Sequence, residues 1–202
     1  MLFRSSKNPD IVFFCSYLND SAGLIRAISK STYEPKLVGG AMIGPQNGAI
    51  KTQLGSSLNG IVNYEYWLPV PALMYPGVAD LIAAYQSRAQ DAGADPLGYY
   101  VAPQAYAQMQ VVEQAIIGTN SLDDEKLAEF TRKAVFKTVV GDVKFGDAGN
   151  WSEARVLQVQ YQNIRSGDLS EFKNSGTQVV VWPPELASGS LVYPYANAKP
   201  SK

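Results

Sequence analysis

No histidine stands among the 202 residues, so the commonest general base and the commonest metal ligand are both missing. The lone cysteine, Cys15, closes an apolar run from Ile11, where the end of a strand could present a nucleophile. With no histidine to take its proton, a buried core thiol is the better reading of Cys15 than a nucleophile. A single cysteine also rules out an internal disulfide and a cysteine-based zinc site. The run Gly39-Gly40-Ala41-Met42-Ile43-Gly44 departs from G-x-G-x-x-G and lacks the P-loop lysine. Its glycines let backbone approach a small ligand, and they equally suit a strand-to-helix turn. Asp142, Asp147 and Asn150 offer oxygen ligands, yet their spacing misses the EF-hand pattern and one hairpin accounts for them. Glu65 beside Tyr66 and Trp67 fits a pocket edge or a hinge, as well as plain in-and-out alternation along a strand. Tyr99, Tyr100, Gln104 and Tyr106 gather near a helix start, which suits a ligand carboxylate or core packing. These residues name no catalytic group, cofactor or metal.

Composition agrees. Apolar residues make up 46% and charged residues 17%, with a net charge of −1, so the chain is globular and nothing steers it to nucleic acid or anionic membrane. Twelve tyrosines suit surfaces that are partly apolar and partly wet. Met1 to Lys7 carries no apolar export core, and no run approaches a membrane span; as written, the chain is expected in the cytoplasm.

The elements that must position these residues follow from pattern. Pro9 to Arg26 reads as strand, short loop and helix, the repeating unit of a parallel α/β sheet, whose ligands sit beyond the carboxyl ends of the strands. Leu24, Ile25 and Ile28 form the helix stripe, with Asp20 or Ser21 as N-cap. A short strand Leu37 to Gly39 leads into a glycine-rich loop to Gly48, a short helix spans about Ile50 to Leu54, and a strand spans Ile61 to Trp67. Three prolines between Leu68 and Gly77 make an extended connector. Val78, Leu81, Ile82 and Tyr85 hold helix spacing, with Gly93 suiting the C′ position. A second helix runs from Ala102 to Ile117, begun by Pro103 and ended by Gly118, with Tyr106, Met109, Val112 (or Val111) and Ile116 on its apolar face. A third spans about Asp123 to Ala134, acidic at its start and basic at its end. Strands return at Val139 to Phe145 with a tight Gly141-Asp142, at Val156 to Ile164 and at Val179 to Trp182. The remaining tail reads as loose.

In order and spacing these segments resemble the carboxyl-terminal half of a type I periplasmic solute-binding protein, of the leucine/isoleucine/valine-binding group that serves ABC importers. The resemblance runs from Asn8 to about Tyr195. It rests on NPDIVFFCSYLNDSAGLIRAI, LVGGAMIG, the NYEYW strand and its connector, DPLGYYVAPQAYAQMQVVEQAI, and VVGDVKFGDAGNW followed by VLQVQ. It implies a partial α/β fold: a Rossmann-like parallel sheet segment plus a helical block from the other lobe. Residues 1–67 would belong to the second lobe, 68–77 would cross over, 78–138 would be the helical part of the first lobe, and 139–202 would cross again and supply the last strands. Family members are roughly twice as long, so a lobe interface is expected to stand open and favour self-association.

The resemblance further implies a non-enzymatic receptor that traps a small solute by lobe closure and docks on the membrane subunits of an importer, in the periplasm as part of an exported parent. Tyr17 matches a family position that contacts ligand, and Asn19 and Asp20 share its loop. With Gly40, Ala41, Met42, Tyr100 and Gln104 they form the expected ligand set; Trp67 and Pro69 are the expected hinge. Ala41 falls where the branched-chain amino acid binders carry a glutamate for the ligand ammonium. An alanine cannot pair that charge, which turns expectation toward small carboxylates and amides. Two other classes stand beside this one: a cytoplasmic ligand sensor of the same fold, and a hydrolase using Cys15.

Overall fold

The computed structural model describes residues 7–153, 156–173 and 176–199. The amino-terminal segment read above for an export core therefore lies, up to Ser6, outside the described residues, as does the end of the tail from Pro200. Strands β1 (Ile11–Ser16), β2 (Leu37–Met42) and β3 (Ile61–Glu65) alternate with helices α1 (Leu18–Lys30) and α2 (Gly48–Leu54). A helical block follows: α3 (Val78–Ala89), α4 (Ala102–Thr119) and α5 (Asp124–Lys133). The hairpin β4 (Val135–Thr138) and β5 (Gly141–Lys144) comes next, then β6 (Leu157–Tyr161) and β7 (Gln178–Trp182).

Five strands form one sheet in the order β1-β2-β3-β6-β7, parallel across the first three and antiparallel across the last two. This is a mixed α/β fold with a Rossmann-like parallel core, as the βαβ spacing requires. α1 closes one sheet face through Ile25 and Ile28, which pack with Val12, Phe14, Val38 and Ile61. Over β3 and β6 the opposite face is met by the tail. Gln160 Nε2 donates to Val192 O at 3.0 Å, the Tyr195 N–H donates to Lys36 O at 2.8 Å, and Tyr195 is buried. Expected loose, the tail is docked up to that residue, because Tyr195 supplies the ring that packs against Gly60.

Several local expectations change with the structure. β2 runs on to Met42, so Gly39 and Gly40 are strand residues rather than loop. A Cβ on Gly40 would stand 1.9 Å from Phe14 O, and one on Gly39 would stand 2.5 Å from Val62 O; these glycines let three strands lie close. Helix α1 starts one turn earlier than its polar residues suggest. Its N-cap is Tyr17, while Ser21, already inside, is buried and donates from Oγ to Tyr17 O at 2.6 Å. Cys15 is exposed. Alternation places it with Ile11 (61% exposed) and Phe13 (67%) on the sheet face that no described residue covers over β1.

Helix α4 turns a different face inward than hydrophobicity suggests. Tyr106, Met109 and Val112 are exposed, whereas Pro103, Ala107 and Ala115 are buried. Small residues admit the hairpin closely, and two glutamines finish the contact. The Lys137 N–H donates to Gln114 Oε1 at 3.1 Å, and the Val139 N–H donates to Gln110 Oε1 at 2.8 Å. That helix ends at Asn120, left-handed at φ 48°, instead of at Gly118. The hairpin turns at Val139-Val140, two residues before the expected Gly141-Asp142, and Asp142 pairs with Lys137 at 2.5 Å. Gly93 is left-handed at φ 62° but lies beyond the end of α3 at Ala89.

A ligand cavity at the carboxyl ends of the parallel strands

Beyond the carboxyl ends of β1 and β2 lies a cavity of about 270 Å³. Leu18, two residues past β1, and Ile43, directly after β2, line it with Gln46, Asn47, Tyr85 of α3, the loop residues Asp95, Gly98, Tyr100 and Val101, and Ala102 at the start of α4. Asp95 fixes this geometry. Its Oδ2 accepts the Gly48 N–H at 2.6 Å, and its Oδ1 accepts the N–H groups of Leu97 (2.8 Å) and Gly98 (3.3 Å). The loop is thereby tied to the first residue of α2. Gly98 sits at φ 70°, and a Cβ there would meet the Tyr85 ring at 2.3 Å. Only glycine lets the loop turn there and keeps Tyr85 against the cavity.

Tyr85 and Tyr100 bring aromatic rings to the cavity. Tyr66 stacks on Tyr100 at 5.8 Å between ring centroids and meets Tyr64 edge-on at 5.6 Å. Burial, then the neighbouring Tyr100, holds the Tyr64 hydroxyl well above the ordinary tyrosine range. Behind the cavity lies a polar cluster. Lys51 Nζ and Glu65 Oε1 stand 3.5 Å apart and both side chains are fully buried. Burial pushes Glu65 up to about 7 against the pull of Lys51, and burial likewise pushes Lys51 down. Gln46, 2% exposed, donates from Nε2 to Tyr64 O at 3.0 Å, while its Oε1 has no hydrogen-bond partner.

Of the eight residues expected at the ligand, only Tyr100 lines this cavity. Tyr17, Asn19 and Asp20 are exposed at its strand-end margin, flanking Leu18. Ala41 is exposed next to Cys15, its register partner on β1. Gly40 and Met42 point into the covered face of the sheet, where Met42 is buried. Gln104 lines a separate apolar depression with Val111, Val140 and Trp151. The expected hinge residues sit where β3 leaves the sheet. Trp67 is buried, donates from Nε1 to Leu73 O at 3.2 Å and meets Tyr99 edge-on; Pro69 is half-buried. Among the described residues no three acidic, cysteine or histidine side chains gather to hold a metal, and no helix is long and apolar enough to cross a membrane.

Sequence reasoning missed Leu18, Ile43, Gln46, Tyr85 and Asp95. Asp95 carried a signal, since an aspartate before Pro-Leu-Gly marks a side-chain-stabilised turn. Gln46 carried none, because its burial arises only when β3 and the 95–102 loop close over it.

A family described as periplasmic binding protein matches residues 4–167. The chain belongs to that family. This periplasmic binding protein chain is 27% identical over 139 residues to a leucine-, isoleucine-, valine-, threonine- and alanine-binding protein of Pseudomonas aeruginosa, a match covering 69% of the chain and 35% of that relative. Its fold is that of a leucine binding protein from Thermotoga maritima (TM-score 0.60, 18% identity, 79% of this chain and 43% of that one). It is also that of an amino acid ABC transporter substrate-binding protein from Pseudomonas fluorescens (TM-score 0.59, 16% identity, 94% and 49%). The chain thus spans less than half the length of each of these proteins. These relatives are solute binders, not enzymes.

Proposed function

We propose that this chain is the carboxyl-terminal portion of a solute-binding component of an ABC importer, and that its cavity holds part of the solute. One observation carries the reading: a cavity lined in part by tyrosine rings beyond the carboxyl ends of two parallel strands, where open α/β sheets take their ligands. The names of its relatives support it, and so does the absence of histidine, which leaves no general base of the commonest kind near the cavity. Under this reading the parent works in the periplasm and delivers its solute to membrane subunits. Tyr100 and Tyr66 close over the solute, and Tyr17, Asn19 and Asp20 lie where a facing lobe would meet it.

Ala41 argues for a solute other than the branched-chain amino acids of the relatives, since no carboxylate stands at that point. The test is a thermal-shift and calorimetric survey of small amides, amines, amino acids and carboxylates against this chain. We expect at least one class to raise the melting temperature saturably, and Leu18→Trp, which fills the cavity, to abolish the effect. Binding that survives Leu18→Trp unchanged, or no response from any class, would reject the assignment.

A further inference from the structure

We propose that Asp95 is the positioning residue of the cavity: its carboxylate clasps the helical block α3 to α5 to the unit built from β1 to β3 with α1 and α2, and releasing it lets the two parts swing about the connector after β3. That the clasp serves solute capture rests on the reading that the solute sits in this cavity. The clasp itself is measured without a solute.

The cavity is lined from both parts. Leu18, Ile43 and Asn47 come from the sheet unit, and Tyr85, Asp95 and Tyr100 come from the helical block. Among the described residues, α3, α4 and α5 pack chiefly on one another and on the hairpin β4–β5, not on β1 to β3. What joins the two parts is narrow. Trp67 meets Tyr99 edge-on at 5.5 Å between ring centroids, and Tyr66 stacks on Tyr100 at 5.8 Å. Tyr66 and Trp67 directly follow β3, so these contacts stand at the start of the connector, where a pivot would lie. That connector is exposed at Met74, Pro76 and Gly77, and Gly77 is left-handed at φ 83°; a few such residues at element ends can absorb a rotation. The bond from the Gly48 N–H to Asp95 Oδ2, at 2.6 Å, ties the two parts away from that pivot.

One carboxylate therefore has two separable roles. Oδ1 accepts the Leu97 and Gly98 N–H groups and shapes its own loop, while Oδ2 holds that loop to α2. Two substitutions break the second role and spare the first. Gly48→Pro removes the donor. Gly48 is the first residue of α2, a place that suits proline, and Asn47 before it already has the extended backbone that proline demands, at φ −89° and ψ 130°. α2 should keep its fold while the proline ring displaces the N–H that faces Asp95. Asp95→Asn acts from the other side. Asparagine forms the same local turn, so its oxygen stays with Leu97 and an NH₂ group faces the Gly48 N–H, donor against donor.

The test is double electron–electron resonance on the full chain with Cys15→Ser and nitroxides at Ala27→Cys of α1 and Arg88→Cys of α3, both exposed. Exchange of the Gly48 amide is followed in parallel by NMR. The parent should give one narrow distance and a protected Gly48 amide. Gly48→Pro and Asp95→Asn should each lengthen and broaden the distance. Asp95→Asn should also speed Gly48 exchange by roughly ten- to a hundredfold, as loss of a charge-assisted bond implies. If Asp95 serves its own loop alone, Gly48→Pro leaves the distance as in the parent, and that result overturns the proposal. A distance already broad in the parent, or a Gly48 amide that exchanges freely there, overturns it without any variant; should Gly48→Pro fail to fold, an unchanged distance in Asp95→Asn does the same. A negative result here leaves the cavity reading to the thermal-shift survey, and a survey without a hit leaves the clasp to be judged by these distances.

Discussion

Lys51 and Glu65 are buried side by side at 3.5 Å, and removing two charges from water is repaid only by good mutual geometry. Burial raises Glu65 from an ordinary value of 4.5 to about 7. Between those two values the unfolded chain has released this proton while the folded chain keeps it, so the folded state binds more protons and loses stability as pH rises. Glu129 and Glu171 are both held below the ordinary range, by Lys133 and by the Gly167 N–H respectively. They slope the opposite way, and equally so in any variant that spares them. The double variant Lys51→Met/Glu65→Gln removes this titration, and should therefore gain on the parent chain as pH rises from 4.5 to 7, by the Glu65 contribution less whatever the opposite slope of the lowered Lys51 offsets. Urea unfolding at half-unit pH steps measures the gap, and a constant gap would show that Glu65 ionises normally inside the fold.

At the level of elements, two glycines make opposite predictions. Gly40→Ala in β2 drives a Cβ to 1.9 Å from Phe14 O and should cost about 3 kcal/mol or more, because a backbone neighbour cannot swing aside. Gly23→Ala in α1, with nothing within 4 Å of the added atom, should stabilise by about 0.5–1 kcal/mol. Denaturant midpoints of the two variants check both signs. The same contrast explains what could be read from sequence. The βαβ opening and α5, with Asp123 accepting the Lys126 N–H at its start and Arg132 and Lys133 at its end, are local in origin and were legible. The inner face of α4 was not, since hydrophobic spacing favoured Tyr106 and Met109 while glutamines reaching the hairpin backbone chose Ala107 and Ala115. Of the candidate site, its position at the strand ends and Tyr100 were legible. Gln46 and Tyr85 were not, because each reaches the cavity through partners far away in the chain.

Among the described residues, apolar side chains stand exposed at Ile11 and Phe13 on the edge strand β1, and at Tyr106, Met109 and Val112 on α4. An uncovered parallel sheet face is foreign to this class of fold, and an open edge invites pairing. We expect this chain to self-associate with rising concentration in sedimentation velocity, and Phe13→Glu to restore a single slow species; a chain monomeric at every concentration would contradict this. The sheet order has another consequence. β3 borders β6, which the roughly ninety residues after Glu65 separate from it along the chain, and Tyr161 of β6 donates to Pro45 O at 2.6 Å across 116 positions. A ribosome adds roughly 5–20 residues per second. For several seconds after β3 emerges, its outer edge has no neighbour, so translation speed between Glu65 and Leu157 sets how long the nascent chain must be shielded.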